Sequence, residues 1–199
     1  MKYEITNEKK LVNGLTLYRI KALKDFGKVK AGDLGGWIEG ESNLSQEGQA
    51  WVYGDAVYGD AEVFGDAQVF GDAEISEYAK VSGNARVSGN AWVFEDAKVY
   101  GKALVDGDAK VSGDAQVSGK AWVYGDAEVS GKAWVYGDAK VSGDAQVSGN
   151  AWVSGNAQVS EDAEVSEDAK VYGDAQVFGN AWVSGNAQVF GNAKVSGKK

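Results

Sequence analysis

The chain has 199 residues, 29 of them acidic and 20 basic, for a formal net charge of -9, and it contains no cysteine, histidine or proline. Without cysteine there is no disulfide framework, thiol nucleophile or thiolate metal site, and without histidine the commonest general base and metal ligand are missing. An acidic balance also disfavours a nucleic-acid backbone as partner, because that binding runs on Lys and Arg displacing counterions.

The opening stretch, MKYEITNEKKLVNGLTLYRIKAL, holds no apolar run long enough for a signal peptide, and nothing downstream approaches a membrane span. A soluble, cytoplasmic protein with no membrane partner is expected. Val12-Asn13-Gly14-Leu15 is a strong hairpin signal and leads into a strand-like Thr16–Ile20. Residues 1–28 are therefore predicted to form a β-hairpin cap over the open end of whatever follows. Residues 29–56 read as irregular coils. Ile38–Leu44 is a degenerate unit, and Trp51-Val52-Tyr53-Gly54-Asp55-Ala56 is followed at once by Val57, one residue short.

From residue 57 to the end the chain repeats V-x-G-D/N-A-x. Every sixth residue from Val57 to Val195 is Val except Ile75, and every sixth from Ala61 to Ala193 is Ala. In an extended A-x-V segment Ala and Val point to one side, so they fill an interior while the x residues face out. Gly followed by Asp or Asn supplies a corner. Each hexapeptide is then one short strand and one corner, and a fixed short period of this kind marks a solenoid stacked from its own copies. The absence of proline leaves every backbone N–H free to bond between coils. A flat coil of 12 residues is the rival geometry, but small solenoids of that sort usually need disulfide staples.

An aliphatic residue followed four positions later by a small one, as in Val63/Ala67, Val81/Ala85 and Val141/Ala145, resembles the left-handed parallel β-helix of the hexapeptide-repeat, acyltransferase-like superfamily. The resemblance implies an all-β triangular solenoid with about 18 residues per coil and a rod on the order of 40 Å long. Gly32–Ile38, leading into Asn43-Leu44-Ser45, is similar to the start of phage- and prophage-type members. Acyltransferases of the superfamily use a histidine base, and carbonic-anhydrase-like members bind metal through histidines. This chain offers neither, so no catalytic residue, cofactor or metal is expected. Relatives of the fold commonly form trimers, which makes a homotrimer one possible assembly.

Stepping by 18 through the outward positions collects Phe64, Tyr100, Tyr136, Tyr172 and Phe190 on one face, alternating with Ser82, Ser118 and Ser154. Trp134 and Trp152 lie beside them with Lys98 and Lys170. A contiguous band of exposed rings is where interfaces concentrate their energy, so Tyr100, Trp134, Tyr136, Trp152 and Tyr172 are the predicted protein-binding residues. The competing explanation is that aromatics simply suit strand surfaces and pair across coils. Trp92, Trp122, Trp152 and Trp182 recur every 30 residues, which does not match an 18-residue coil. One corner edge files Asp72, Asn90, Asp108, Asp126, Asp144, Asp162 and Asn180. That file poses the question of cation binding, although the calcium β-roll pattern is missing. Ice binding is excluded because no threonine follows Thr16. The terminal Lys198 and Lys199 are expected to discourage end-to-end stacking.

These observations predict a non-catalytic β-solenoid scaffold or protein-binding rod, phage-associated by resemblance, that contacts a protein or its own copies. The first alternative is an acidic inhibitor imitating nucleic acid, although Lys98, Lys110, Lys140 and Lys170 interrupt its negative surface. The second is an acyltransferase-like enzyme.

Overall fold

The computed structural model describes residues 1–54 and 56–197. Strands β1 (Tyr3–Val12) and β2 (Leu15–Ala22) form an antiparallel hairpin with Val12 opposite Leu15. Its turn residues Asn13 and Gly14 both have positive φ, 50° and 83°, as a two-residue hairpin with the twist of its strands requires. β2 also pairs antiparallel with β3 (Leu34–Ile38), and β3 in turn runs parallel to the Ala56–Val57 strand. Sheet direction thus changes at β3, where the hairpin hands over to the repeat.

Beyond β3 the strands are two or three residues long and stack into three parallel sheets of about nine coils. Sheet I contains the hairpin and has eleven strands, sheet II nine and sheet III eight. Partners sit one coil apart, Trp92 beside Lys110 and Val93 beside Val111, so the coil is 18 residues and three-sided. The flat 12-residue alternative is thereby excluded. Coils bond along the sides and at the corners: Lys98 N–H donates to Ala115 O at 2.9 Å, and Asp108 N–H to Gly125 O at 2.9 Å.

The interior is the Val and Ala columns, with every such residue from Ala61 to Val177 fully buried. Stacking of the coils brings the backbone of one corner close to the next, so that a Cβ at most corner glycines would press on the following coil. At Gly89, φ is 71° and a Cβ would lie 2.7 Å from the Gly107 backbone of the next coil. Four corners nevertheless carry Glu in the left-handed region, Glu77, Glu95, Glu161 and Glu167, at φ of 58–62°.

The irregular coils are closed by polar groups that the repeat does not use. Asn43 is fully buried: its Oδ1 accepts from the N–H of Glu39 and Gly40, and its Nδ2 donates to Gly59 O (2.9 Å) and Ala61 O (3.0 Å). Tyr3 Oη donates to Leu44 O at 2.7 Å, Gln46 Oε1 accepts from Lys2 N at 2.7 Å, and Lys2 Nζ donates to Ala50 O at 2.8 Å. Tyr3 and Phe26 meet Trp51 edge-on. In the last described coil Ala187 and Ala193 are exposed. Lys198 and Lys199, expected to discourage stacking, lie outside the described residues. No helix is long and apolar enough to cross a membrane among the described residues.

Candidate functional site

Sheet III presents two outward columns, because in each strand the residue before the core Val and the residue after it both point away from the core. The first runs Glu62, Lys80, Lys98, Gln116, Trp134, Trp152, Lys170, Gln188, each paired in register with the next. The second is the alternation of aromatics and serines from Phe64 to Phe190, which follows the same coils.

Within these columns the rings organise around Trp152. Trp134 stacks on it with centroids 5.6 Å apart and planes at 11°, Tyr136 meets it edge-on at 6.5 Å, and Lys170 Nζ lies 4.9 Å from its ring centroid. Tyr172, one coil further, stacks instead on Phe190 at 5.4 Å. Tyr100 stands two coils before Tyr136, and its hydroxyl donates to Gln116 Oε1 at 3.1 Å. The structure therefore brings together Trp134, Tyr136 and Trp152. Tyr172 belongs to a neighbouring pair, and Tyr100 is a separate ring on the same face. Trp134 and Trp152 are each 39% exposed, and Ser154, in the gap beside them, is 8% exposed.

The roles of Gln116 and Gln188 were not foreseen in the sequence. Tyr100 reaches Gln116 and Tyr172 reaches Gln188 Oε1 (3.3 Å), and both pairs are separated by 16 residues. The same offset joins Tyr58 to Glu74 and Trp182 to Ser166. One coil less two residues is the diagonal neighbour on the adjacent strand, within reach of a long ring. A search at offset 16 in addition to 18 would have found these partners.

This arrangement restricts the chemistry. The stack covers the facing sides of Trp134 and Trp152, and Lys170 covers the other side of Trp152. Rings flanked by an ammonium, amides and hydroxyls suit a protein surface.

The other faces carry smaller groups. Trp92 meets Phe94 edge-on at 6.4 Å on sheet I; on sheet II Trp122 meets Tyr124 likewise at 6.4 Å, with Lys140 Nζ 5.4 Å from the Trp122 ring. The 30-residue tryptophan series steps around the rod: Trp92 lies on sheet I, Trp122 on sheet II, Trp152 on sheet III and Trp182 again on sheet I. Thirty residues is one coil and two thirds, so the series alone never stacks. Trp134, which falls outside it, creates the pair.

In the corner file of carboxylates an amide donor, Asn90, stands between Asp72 and Asp108. Asn90 Nδ2 donates to Asp108 Oδ1 at 2.8 Å, and on the other edges Asn150 and Asn156 donate to Asp168 and Asp174 in the same way. Asp126, Asp144 and Asp162 complete the file around Asp108. Among the described residues no group of three or more His, Cys, Asp or Glu side chains converges as a metal site would.

The model of the YdcK β-solenoid repeat matches residues 79–95, 145–161 and 175–189, each stretch close to one coil. The repeats fit a hexapeptide-repeat-like β-helix family. A segment of 37 residues, 19% of the chain, is 51% identical to part of the Escherichia coli (strain K12) protein described as "Uncharacterized acetyltransferase YdcK". The match spans 11% of that relative's length. The stretches matched by the repeat model hold strand and corner residues, and the first and second include Val81/Ala85 and Val153/Ala157.

Proposed function

We propose that this β-solenoid is a non-catalytic scaffold that binds protein, either a partner or a second copy of itself, through sheet III. The observation that carries the reading is the Trp134–Trp152–Tyr136 cluster with Lys170, in which three rings from adjacent coils meet, whereas the other exposed aromatic groups on the rod are pairs. Acyl transfer, which the relative's description names, needs a base to deprotonate the acceptor. With no histidine in this chain, the groups left are corner carboxylates whose recurrence follows the fold period. Binding is therefore the better-supported activity of the surface.

Light scattering after size exclusion, on the native chain and on a Trp134→Ser, Trp152→Ser variant, tests this. An oligomer dissolved by the variant supports sheet III as the interface, and an oligomer unaffected by it refutes that assignment. If both are monomers, the interface is heterologous, and photo-crosslinkers at positions 134 and 152 should capture a partner that crosslinkers on sheet I miss. Salt separates the acidic-mimic reading: an aromatic contact holds as ionic strength rises, and a mimic loses its partner steeply.

A further inference from the structure

On sheet I, beneath the tip of the β1–β2 hairpin, lies a cavity of about 240 Å³. Tyr58, Trp92 and Phe94 form aromatic walls, Glu74 and Glu77 contribute carboxylates, and Asn13 reaches over from the hairpin turn. Among the described residues no Lys or Arg lines it. The polar groups are already oriented. Asn13 Nδ2 donates to Tyr58 Oη at 3.2 Å, and Tyr58 Oη donates to Glu74 Oε2 at 2.9 Å, which leaves the other Glu74 oxygen available. Burial, followed by the hydrogen bond to Glu74, raises the Tyr58 hydroxyl above its ordinary range and keeps it a donor. Glu95 and Glu167 turn their carboxylates to the N–H of Gly113 and Gly185 one coil on. Glu77, at an equivalent corner, makes no such bond among the described residues and lines the cavity instead.

On the other two sheets a tryptophan at the equivalent strand position carries a lysine. Lys140 covers Trp122 and Lys170 covers Trp152, each lysine one coil beyond its ring. Lys110 occupies the same place relative to Trp92 but forms an ion pair with Glu128 at 3.4 Å, on the coil beyond. Trp92 thus lacks the lysine that the other two carry on the side of the following coil, and its opposite side, toward the preceding coil, meets the two carboxylates of the cavity.

We propose that this cavity binds an organic cation bearing N–H groups, an alkylammonium or guanidinium. Aromatic faces attract such a cation electrostatically and the carboxylates supply counter-charge and acceptors. The volume is below that of a drug-sized site, so it takes one head group, either a free amine or the Lys or Arg side chain of a protein. The site is on sheet I and stands independently of the sheet III reading.

The full chain labelled with 5-fluorotryptophan, with the Trp92 resonance assigned from Trp92→Phe, is titrated in 19F NMR at constant ionic strength. The probes are butylammonium, guanidinium, tetramethylammonium and Nα-acetyl-lysine methylamide, with sodium as the reference ion. A saturable shift of the Trp92 signal alone is expected, with tetramethylammonium weaker because it cannot donate. Glu74→Gln together with Glu77→Gln should weaken binding about tenfold or more, with unchanged far-UV circular dichroism; Trp182→Ser, in the same column far from the cavity, should not change it. If the acetyl-lysine amide binds as well as butylammonium, the source is a protein side chain; if only the small ions bind, it is a free amine. The proposal is overturned if sodium moves Trp92 equally, if all tryptophan signals move together, or if the double carboxamide variant binds unchanged.

Discussion

Trp134 and Trp152 stack one coil apart with planes 11° from parallel, although only Trp152 belongs to the 30-residue tryptophan series. Aromatic pairs contribute roughly 0.5–1.5 kcal/mol beyond area burial. A double-mutant cycle on Trp134→Ser and Trp152→Ser, read by denaturant unfolding, should give a coupling in that range. A coupling near zero would mean that the stack adds nothing to folding, and that the rings are held by their own strands alone.

The four left-handed glutamates make a paired comparison. A non-glycine residue in this conformation costs roughly 1–2 kcal/mol, against which glycine loses about 0.4–1 kcal/mol through unfolded-chain entropy. Glu161→Gly should therefore stabilise the rod by roughly 0.5–1 kcal/mol. Glu167→Gly should be near neutral, because it also removes the carboxylate that accepts from Gly185 N–H at 2.7 Å. In the opposite direction, Gly89→Ala places a Cβ 2.7 Å from the next coil's backbone and should destabilise by about 2 kcal/mol or more. Chemical denaturation of the three variants checks the order.

Lys2 predicts the pH dependence of the hairpin end. Burial, reinforced by Lys24, lowers its pKa from 10.5 to about 8. Between those values the unfolded chain binds more protons than the folded one, so stability rises with pH across that window, and below about pH 8 the full penalty is present. Tyr3, raised above its ordinary value by burial and then by Glu41, acts in the opposite sense above pH 10. The melting temperature should climb from pH 8 to about 10, by on the order of 2–4 °C per kcal/mol relieved, and then turn down. Lys2→Met should abolish the climb; a climb of the same size in the variant would assign it to other groups.

How far the sequence could be read follows from what repeats. The Val and Ala columns were legible because each hexapeptide restates them, the 18-residue register only through the resemblance, since a period of six fits a 12-residue coil as well, and the Asn13-Gly14 turn because its φ requirements leave few residues eligible. The hand of the coil rests on the resemblance, since neither the hexad nor the ladder register depends on it. The single-copy features were opaque. Asn43 satisfies four backbone groups 3 to 18 residues away, and Lys2 reaches Ala50, contacts that no period announces. The tyrosine–glutamine pairs at offset 16 were missed for a different reason, because a step of 18 finds only rungs and not diagonals.

The near equivalence of the hexapeptides allows the sheet III surface to be dismantled without touching the core. Deleting residues 141–146 keeps the Val and Ala frame intact but brings Trp152 to 12 residues after Trp134, on a different face. Deleting residues 105–122 removes one whole coil and leaves Trp134, Tyr136, Trp152 and Tyr172 in their relative places. Because stability in a solenoid is close to a sum over neighbouring units, the shorter deletion should cost less stability than the longer one. Protein binding should follow the opposite order, lost with residues 141–146 and kept with residues 105–122. Far-UV circular dichroism, thermal melts and light scattering on the two variants read both orders. Unfolding of the six-residue deletion would show that outward contacts such as the Trp134–Trp152 stack, and not the buried columns alone, hold consecutive coils together.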